Sequence, residues 1–70
     1  MVVEVFKTNV HKEADKNYVI AVIQSQFPHY KVNFDLEDCD KILRVEGVEL
    51  EAKNIIDYVN CLGYLCIALE

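Results

Sequence analysis

Residues 30–37, with the sequence YKVNFDLE, alternate between apolar and polar side chains without a break. Successive side chains of a strand point to opposite faces, so this pattern predicts a strand that buries one face only. The buried set is predicted to be Tyr30, Val32, Phe34 and Leu36. Residues 38–40 (DCD) predict a tight turn, and residues 41–48 (KILRVEGV) predict a returning strand with Leu43 and Val45 facing inward. A half-buried hairpin requires other elements to cover its apolar face.

Two segments with helical periodicity can supply that cover. The spacing over residues 12–27 predicts a helix whose apolar stripe consists of Val19, Val22, Ile23 and Phe27. It should end at Phe27-Pro28, because proline disfavours a helical residue before it, and Thr8 or Asn9 is expected to cap its start. A second stripe consists of Ala52, Ile55, Ile56, Val59 and Leu62. Gly63 follows it, where a left-handed residue commonly ends a helix.

The β-branched and aromatic residues 2–7 (VVEVFK) and 64–70 (YLCIALE) predict two further strands. The predicted order is therefore β-α-β-β-α-β in one domain covering residues 1–70. Right-handed crossovers and a short central hairpin then give an α+β, ferredoxin-like fold. This fold has a four-stranded antiparallel sheet with two helices on one face, and its first and third strands are central.

Charge and cysteine content narrow the function classes. The net charge of −5 is spread along the chain and disfavours nucleic acid, whose binding depends on cationic side chains. No apolar run approaches the roughly 20 residues of a membrane span, and no leader pattern opens the sequence. Cys39, Cys61 and Cys66 are odd in number and contain no C-x-x-C pair, which favours a reducing, cytoplasmic location.

Several of these positions match one known family. The matching residues are Val19 with Val22-Ile23 in the first helix, Ile55-Ile56 with Val59 in the second, and the pair Gly63-Tyr64. In this respect the chain resembles the heavy-metal-associated domains of copper chaperones and metal-transport ATPases, which carry a G-M-T-C-x-x-C loop before the first helix. Alignment on Val19 lays residues 9–15 (NVHKEAD) over that loop. The resemblance then implies that Val10 takes a buried methionine position and that Lys12 and Asp15 take the two cysteine positions, both expected to be exposed.

This departure removes the family's chemistry, because Cu(I) requires thiolates and a lysine ammonium has no lone pair. We therefore expect a small cytosolic binding or interaction module with a degenerate metal-binding loop and no cofactor. An alternative is a metal-binding protein that uses the harder ligands His11, Glu13 and Asp15. The simpler interpretation of those three residues is a solvated helix start, with acids placed favourably for the helix dipole. A small-molecule sensor of the ACT type is a third interpretation.

No catalytic set is visible in the sequence. The two histidines, His11 and His29, lie at opposite ends of the first helix, and Ser25 is the one serine. The last strand is more informative: Leu65, Ile67 and Leu69 alternate with Cys66 and Ala68, so both of its faces are apolar. In the predicted fold this strand lies at a sheet edge, and unprotected apolar edges invite another strand. We therefore expect a weak homodimer or a protein partner there, and neither nucleic acid nor membrane.

Overall fold

The computed structural model describes residues 1–37 and 39–69, and it contains six elements in the predicted order. They are β1 (Val2–Thr8), α1 (Glu13–Gln26), β2 (Lys31–Asp35), β3 (Ile42–Gly47), α2 (Ala52–Cys61) and β4 (Cys66–Leu69). The parts of the predicted turn and of the predicted last strand that fall on Asp38 and Glu70 lie outside the described residues.

The four strands form one sheet in the order β2-β3-β1-β4, and every neighbouring pair is antiparallel. The predicted α+β, ferredoxin-like fold is confirmed, with β1 and β3 central and β2 and β4 at the edges. Each helix packs against the sheet, α1 over β2 and α2 over β4, and the two helices also touch each other. Both helices of the described chain therefore cover the same face of the sheet, and we call the other face the open face.

The hydrophobic core lies between the helices and the sheet, as the periodicities predict. Its fully buried members include Val19 and Ile23 of α1, Leu43 and Val45 of β3, and Ile55 and Val59 of α2. Phe6 of β1 is also fully buried among them. Burial of such side chains supplies most of the stability of a domain this small.

Two predictions about the ends of the helices are confirmed, and a third is wrong. α1 ends at Gln26, before Pro28, and Gly63 follows α2 with a φ of 97°. Position 12 is the N-cap of α1, yet its lysine side chain makes no capping hydrogen bond. The prediction that Thr8 or Asn9 caps α1 is wrong, because β1 continues to Thr8 and both side chains are bound elsewhere.

Thr8 instead joins two segments. Its buried hydroxyl donates a hydrogen bond to the carbonyl of Lys41 at 2.6 Å and accepts one from the amide of Val10 at 3.2 Å. These bonds tie the turn before β3 to the loop that leaves β1, so the loop's position is set by the sheet.

Candidate functional site

The loop between β1 and α1 contains the residues that the resemblance aligns with a metal site. Val10 is fully buried, at the position where the resemblance places a methionine. His11, Lys12 and Glu13 are exposed. Asp15 is half-buried, so the expectation that it is exposed is wrong, and the reason is its hydrogen-bond partner.

Tyr64 closes the loop from the side of β4. Its phenol donates a hydrogen bond to Oδ1 of Asp15 at 2.9 Å, and the amide of Leu65 donates one to Oδ1 of Asn9 at 2.8 Å. The bond to Asp15, followed by desolvation and the charge of that carboxylate, raises the pKa of Tyr64 above its ordinary value. The structure therefore brings Asp15 and Tyr64 together, while Lys12 is exposed to solvent.

The hard-ligand candidates do not converge. Nζ of Lys16 lies 2.7 Å from Oε1 of Glu13, one helical turn apart, while Asp15 is bound by Tyr64. In the part of the chain that the structure describes, no three histidine, cysteine or acidic side chains are grouped closely enough to hold a metal ion. A cation bound by His11, Glu13 and Asp15 would first have to displace both of these interactions.

The three cysteines are free and lie in different environments. Cys39 and Cys61 are exposed, whereas Cys66 faces the core at the start of β4. Burial raises the pKa of the Cys66 thiol to about 12, which leaves it protonated and unreactive near neutral pH.

The open face of the sheet carries the residues predicted for an interface. We call Val3, Val5, Leu65, Ile67 and Leu69 the apolar patch. In the register of the sheet, Leu69 lies opposite Val5, and Ile67 lies opposite Lys7. Relative exposure is 49% for Val3, 48% for Leu65, 48% for Ile67 and 37% for Leu69, so these side chains contribute to the surface rather than to the core.

The remainder of the open face is polar and of mixed charge. Its exposed side chains on β2 and β3 include Lys31, Asn33, Asp35 and Arg44. Phe6, the aromatic residue of the central strands, is fully buried on the opposite face. A stacking platform for bases is therefore lacking among the described residues of the two central strands.

A cavity lies at the end of the molecule remote from the β1–α1 loop, and it was not predicted from the sequence. It has a volume of about 580 Å³ and lies between the end of α1, the start of β2 and the turn after β3. The rings of Phe27 and Tyr30 stack beside it at a centroid distance of 4.7 Å. Gly47 lies directly under Tyr30, since a methyl group there would lie 2.7 Å from Cε1 of the ring. A glycine inside a strand pattern is the one signal that could have indicated this close approach.

Comparisons with protein-family models, with curated proteins and with solved structures find no match to this chain. Within the described residues, no helix combines the length and the apolar content required to cross a bilayer.

Proposed function

We propose that this protein is a small non-enzymatic interaction module that pairs with a second copy of itself through β4 and the Leu65, Ile67 and Leu69 side chains of the apolar patch. The observation that carries the proposal is the run of exposed apolar side chains along a sheet edge. Within the described chain β4 pairs only with β1, and one side of its backbone is therefore open to another strand. Contiguous apolar surface of this kind commonly marks a protein interface.

The strand is complementary to itself. If two β4 strands pair antiparallel about a two-fold axis at Ile67, Leu65 of one copy lies opposite Leu69 of the other. On the opposite face the same register sets Cys66 against Ala68, and both of these side chains are small. Apolar cross-strand pairs stabilise a sheet, and a two-fold axis repeats each of them. The product is a continuous eight-stranded sheet.

The net charge of the chain weakens this association. Each copy carries a net charge of −5, so two copies repel each other, and salt screens that repulsion. We therefore expect a weak dimer that tightens as the ionic strength rises, which is the opposite of the behaviour of an interface built from ion pairs.

The chemistry of the remaining side chains supports a binding role over an enzymatic one. The two histidines, His11 and His29, flank opposite ends of α1. Because α1 has 14 residues and is about 21 Å long, the two imidazoles do not share one site. Cys66 is buried, and the loop that resembles a heavy-metal-associated site presents Lys12 and a hydrogen-bonded Asp15 in place of thiolates. Three free cysteines support a location in the cytoplasm.

The test is the effect of Ile67→Lys on association. Ile67 is half exposed on the open face, so the variant should stay folded, and its charge should prevent pairing. Val48→Lys is the matched control, because Val48 is 70% exposed in the turn after β3 and belongs neither to β4 nor to the apolar patch. Sedimentation velocity from micromolar to millimolar concentration should give a dimer for the parent and for Val48→Lys, and a monomer for Ile67→Lys. Circular dichroism melts establish that all three are folded.

A parent that remains monomeric at millimolar concentration in high salt would overturn the proposal. A folded Ile67→Lys variant that still dimerises would place the interface elsewhere and would overturn it equally. If Ile67→Lys unfolds, Leu65→Lys repeats the test at a position just outside β4.

A further inference from the structure

We infer that two of the proposed dimers pack face to face, with their open faces in contact and the apolar patches of four copies between them. The inference rests on the proposed pairing through β4, and it names a second dimer as the partner of the face that this pairing leaves uncovered. Antiparallel pairing about a two-fold axis continues the sheet, so both open faces lie on the same side of it. The two apolar patches therefore meet at the axis.

The contact at the sheet edge is small by itself. It involves residues 65–69 of each copy, whereas a stable interface of standard size involves about 20–30 residues and roughly 800 Å² on each side. The accessible surface of the chain is 4497 Å², so an interface of that size would cover nearly a fifth of it. Five residues at an edge do not supply this area, whereas the open face beside them can.

The apolar side chains form one surface across the two-fold axis. Leu69 lies opposite Val5 in the sheet, and the proposed pairing sets it opposite Leu65 of the second copy. Val3 precedes Val5 by two residues on the same face and is 49% exposed. In a dimer that stands alone these side chains stay in contact with water. Packing of two sheets about 10 Å apart removes them from water, and this burial drives the association.

Lys7 lies beside these side chains, but its charge does not oppose the packing. It lies opposite Ile67 in the sheet, and its Nζ lies 3.6 Å from Oδ1 of Asp40, in the turn before β3. A lysine packs its alkyl chain along apolar surface while its ammonium remains in water. The ion pair therefore holds the charge at the margin of the patch.

The charges of the open face allow two acidic proteins to meet there. The charged side chains that the four described strands direct to this face are Lys7, Lys31, Asp35, Arg44 and Glu46. Three are cationic and two are acidic, which gives a net charge of +1, whereas the whole chain has −5. Charges of both signs are interspersed, with Lys31 opposite Glu46 in the register, so the face is compatible with a copy of itself. A strongly acidic or strongly basic partner would meet like charges instead.

Ionic strength should separate the two steps of assembly. Each proposed dimer carries twice the charge of −5, so the repulsion between two dimers exceeds the repulsion between two single copies. The screening length falls from about 10 Å in 0.1 M salt to about 3 Å in 1 M salt. We therefore expect dimers in 0.1 M salt and tetramers in 1 M salt.

Sedimentation equilibrium at millimolar protein concentration, in 0.1 M and in 1 M sodium chloride, tests this order. The parent should change from a dimer to a tetramer without larger species, because two-fold axes close the assembly. Val3→Lys should remain a dimer in both salts, since Val3 lies on the open face but outside β4. Tyr18→Lys is the matched control: it adds the same charge at a side chain that is 52% exposed on α1, which covers the opposite face, and it should assemble like the parent.

Circular dichroism melts establish that the variants are folded, and Val3→Gln repeats the test if Val3→Lys unfolds. The inference is overturned if the parent stays a dimer in 1 M salt, if Val3→Lys forms tetramers like the parent, or if Tyr18→Lys loses the tetramer as well. The first of these results leaves the pairing through β4 intact. If Val3→Lys is already monomeric in 0.1 M salt, the dimer itself uses the open face, and the pairing through β4 is wrong.

Discussion

Replacement of Gly47 by alanine tests whether Tyr30 is held by contact with the strand beneath it. The added methyl would lie 2.7 Å from Cε1 of Tyr30 and closer still to Cδ1, too short for any real contact, so the ring must move. Overpacking of this kind costs about 1–3 kcal/mol. Displacement of the ring also disturbs its stacking on Phe27, a pair worth roughly 0.5–1.5 kcal/mol. We expect a total loss of about 2–3 kcal/mol in the free energy of unfolding.

That loss is large for this domain. Seventy residues at the usual stability per residue give a free energy of unfolding of roughly 4–10 kcal/mol. At about 4–8 °C per kcal/mol, the melting temperature should fall by about 10–20 °C. Urea unfolding followed by circular dichroism measures the free energy of unfolding. If its slope against urea concentration is the same for parent and variant, the compactness of the folded and unfolded states is unaltered. Measurement in the Ile67→Lys background removes any contribution from association.

The second half of the test is a double-mutant cycle with Tyr30→Ala. Tyr30→Ala removes the three atoms nearest to the methyl at position 47, so Gly47→Ala should become neutral or slightly stabilising, since glycine weakens a strand interior. Gly63→Ala provides the contrast, because nothing lies within 4 Å there and its cost arises from a φ of 97° alone. The reasoning is refuted if Gly47→Ala costs the same with and without the Tyr30 ring.

Three further predictions concern buried and loop side chains. Thr8→Val should destabilise the domain by about 1–3 kcal/mol, because it leaves a buried amide without its acceptor, whereas Thr8→Ser keeps the hydroxyl and should cost clearly less in urea unfolding. The pKa of the Cys66 thiol is 9.0 in the unfolded chain, and burial raises it to about 12 in the folded protein. Between these pH values the unfolded state binds fewer protons than the folded state, so the free energy of unfolding should decline as the pH rises above 9.0. Cys66→Ala should flatten this decline and Cys61→Ala should not; equal pH profiles would contradict the assignment. The pair Lys12→Cys with Asp15→Cys should raise Cu(I) affinity sharply in a competition titration relative to Lys12→Cys alone, and no gain would mean that the alignment with the metal loop is wrong.

Much of the fold follows from local patterns. The alternation of residues 30–37 and the stripes at Val19, Ile23, Ile55 and Val59 predict the elements and their buried faces, because burial of one face imposes a fixed period on the sequence. The position of Gly63 after α2 could be predicted for the same local reason, since few other residues tolerate its φ.

The partners of polar side chains could not be predicted in this way. Thr8 and Asn9 have the right chemistry for a helix cap, but tertiary contacts with Lys41 and Leu65 took their hydrogen-bonding groups. The burial of Asp15 could not be predicted either. Its hydrogen bond with Tyr64 joins residues 49 positions apart, and no local pattern encodes such a contact. The cavity beside Tyr30 depends on three segments that meet only after folding, so the isolated Gly47 was its single trace in the sequence.

The placement of β1 between β3 and β4 determines the order in which the sheet can form during synthesis. β1 is the first of the four strands to leave the ribosome, yet both of its partners come later in the chain, after β2. Until β3 emerges, Phe6 and the rest of β1 have no sheet to join, while the β2–β3 hairpin can form from neighbouring residues alone. Topologies dominated by such distant pairings fold slowly. β1, one of the two central strands of the finished sheet, therefore waits longest with its apolar side chains uncovered, in the period when a nascent chain is most exposed to chaperones and to aggregation.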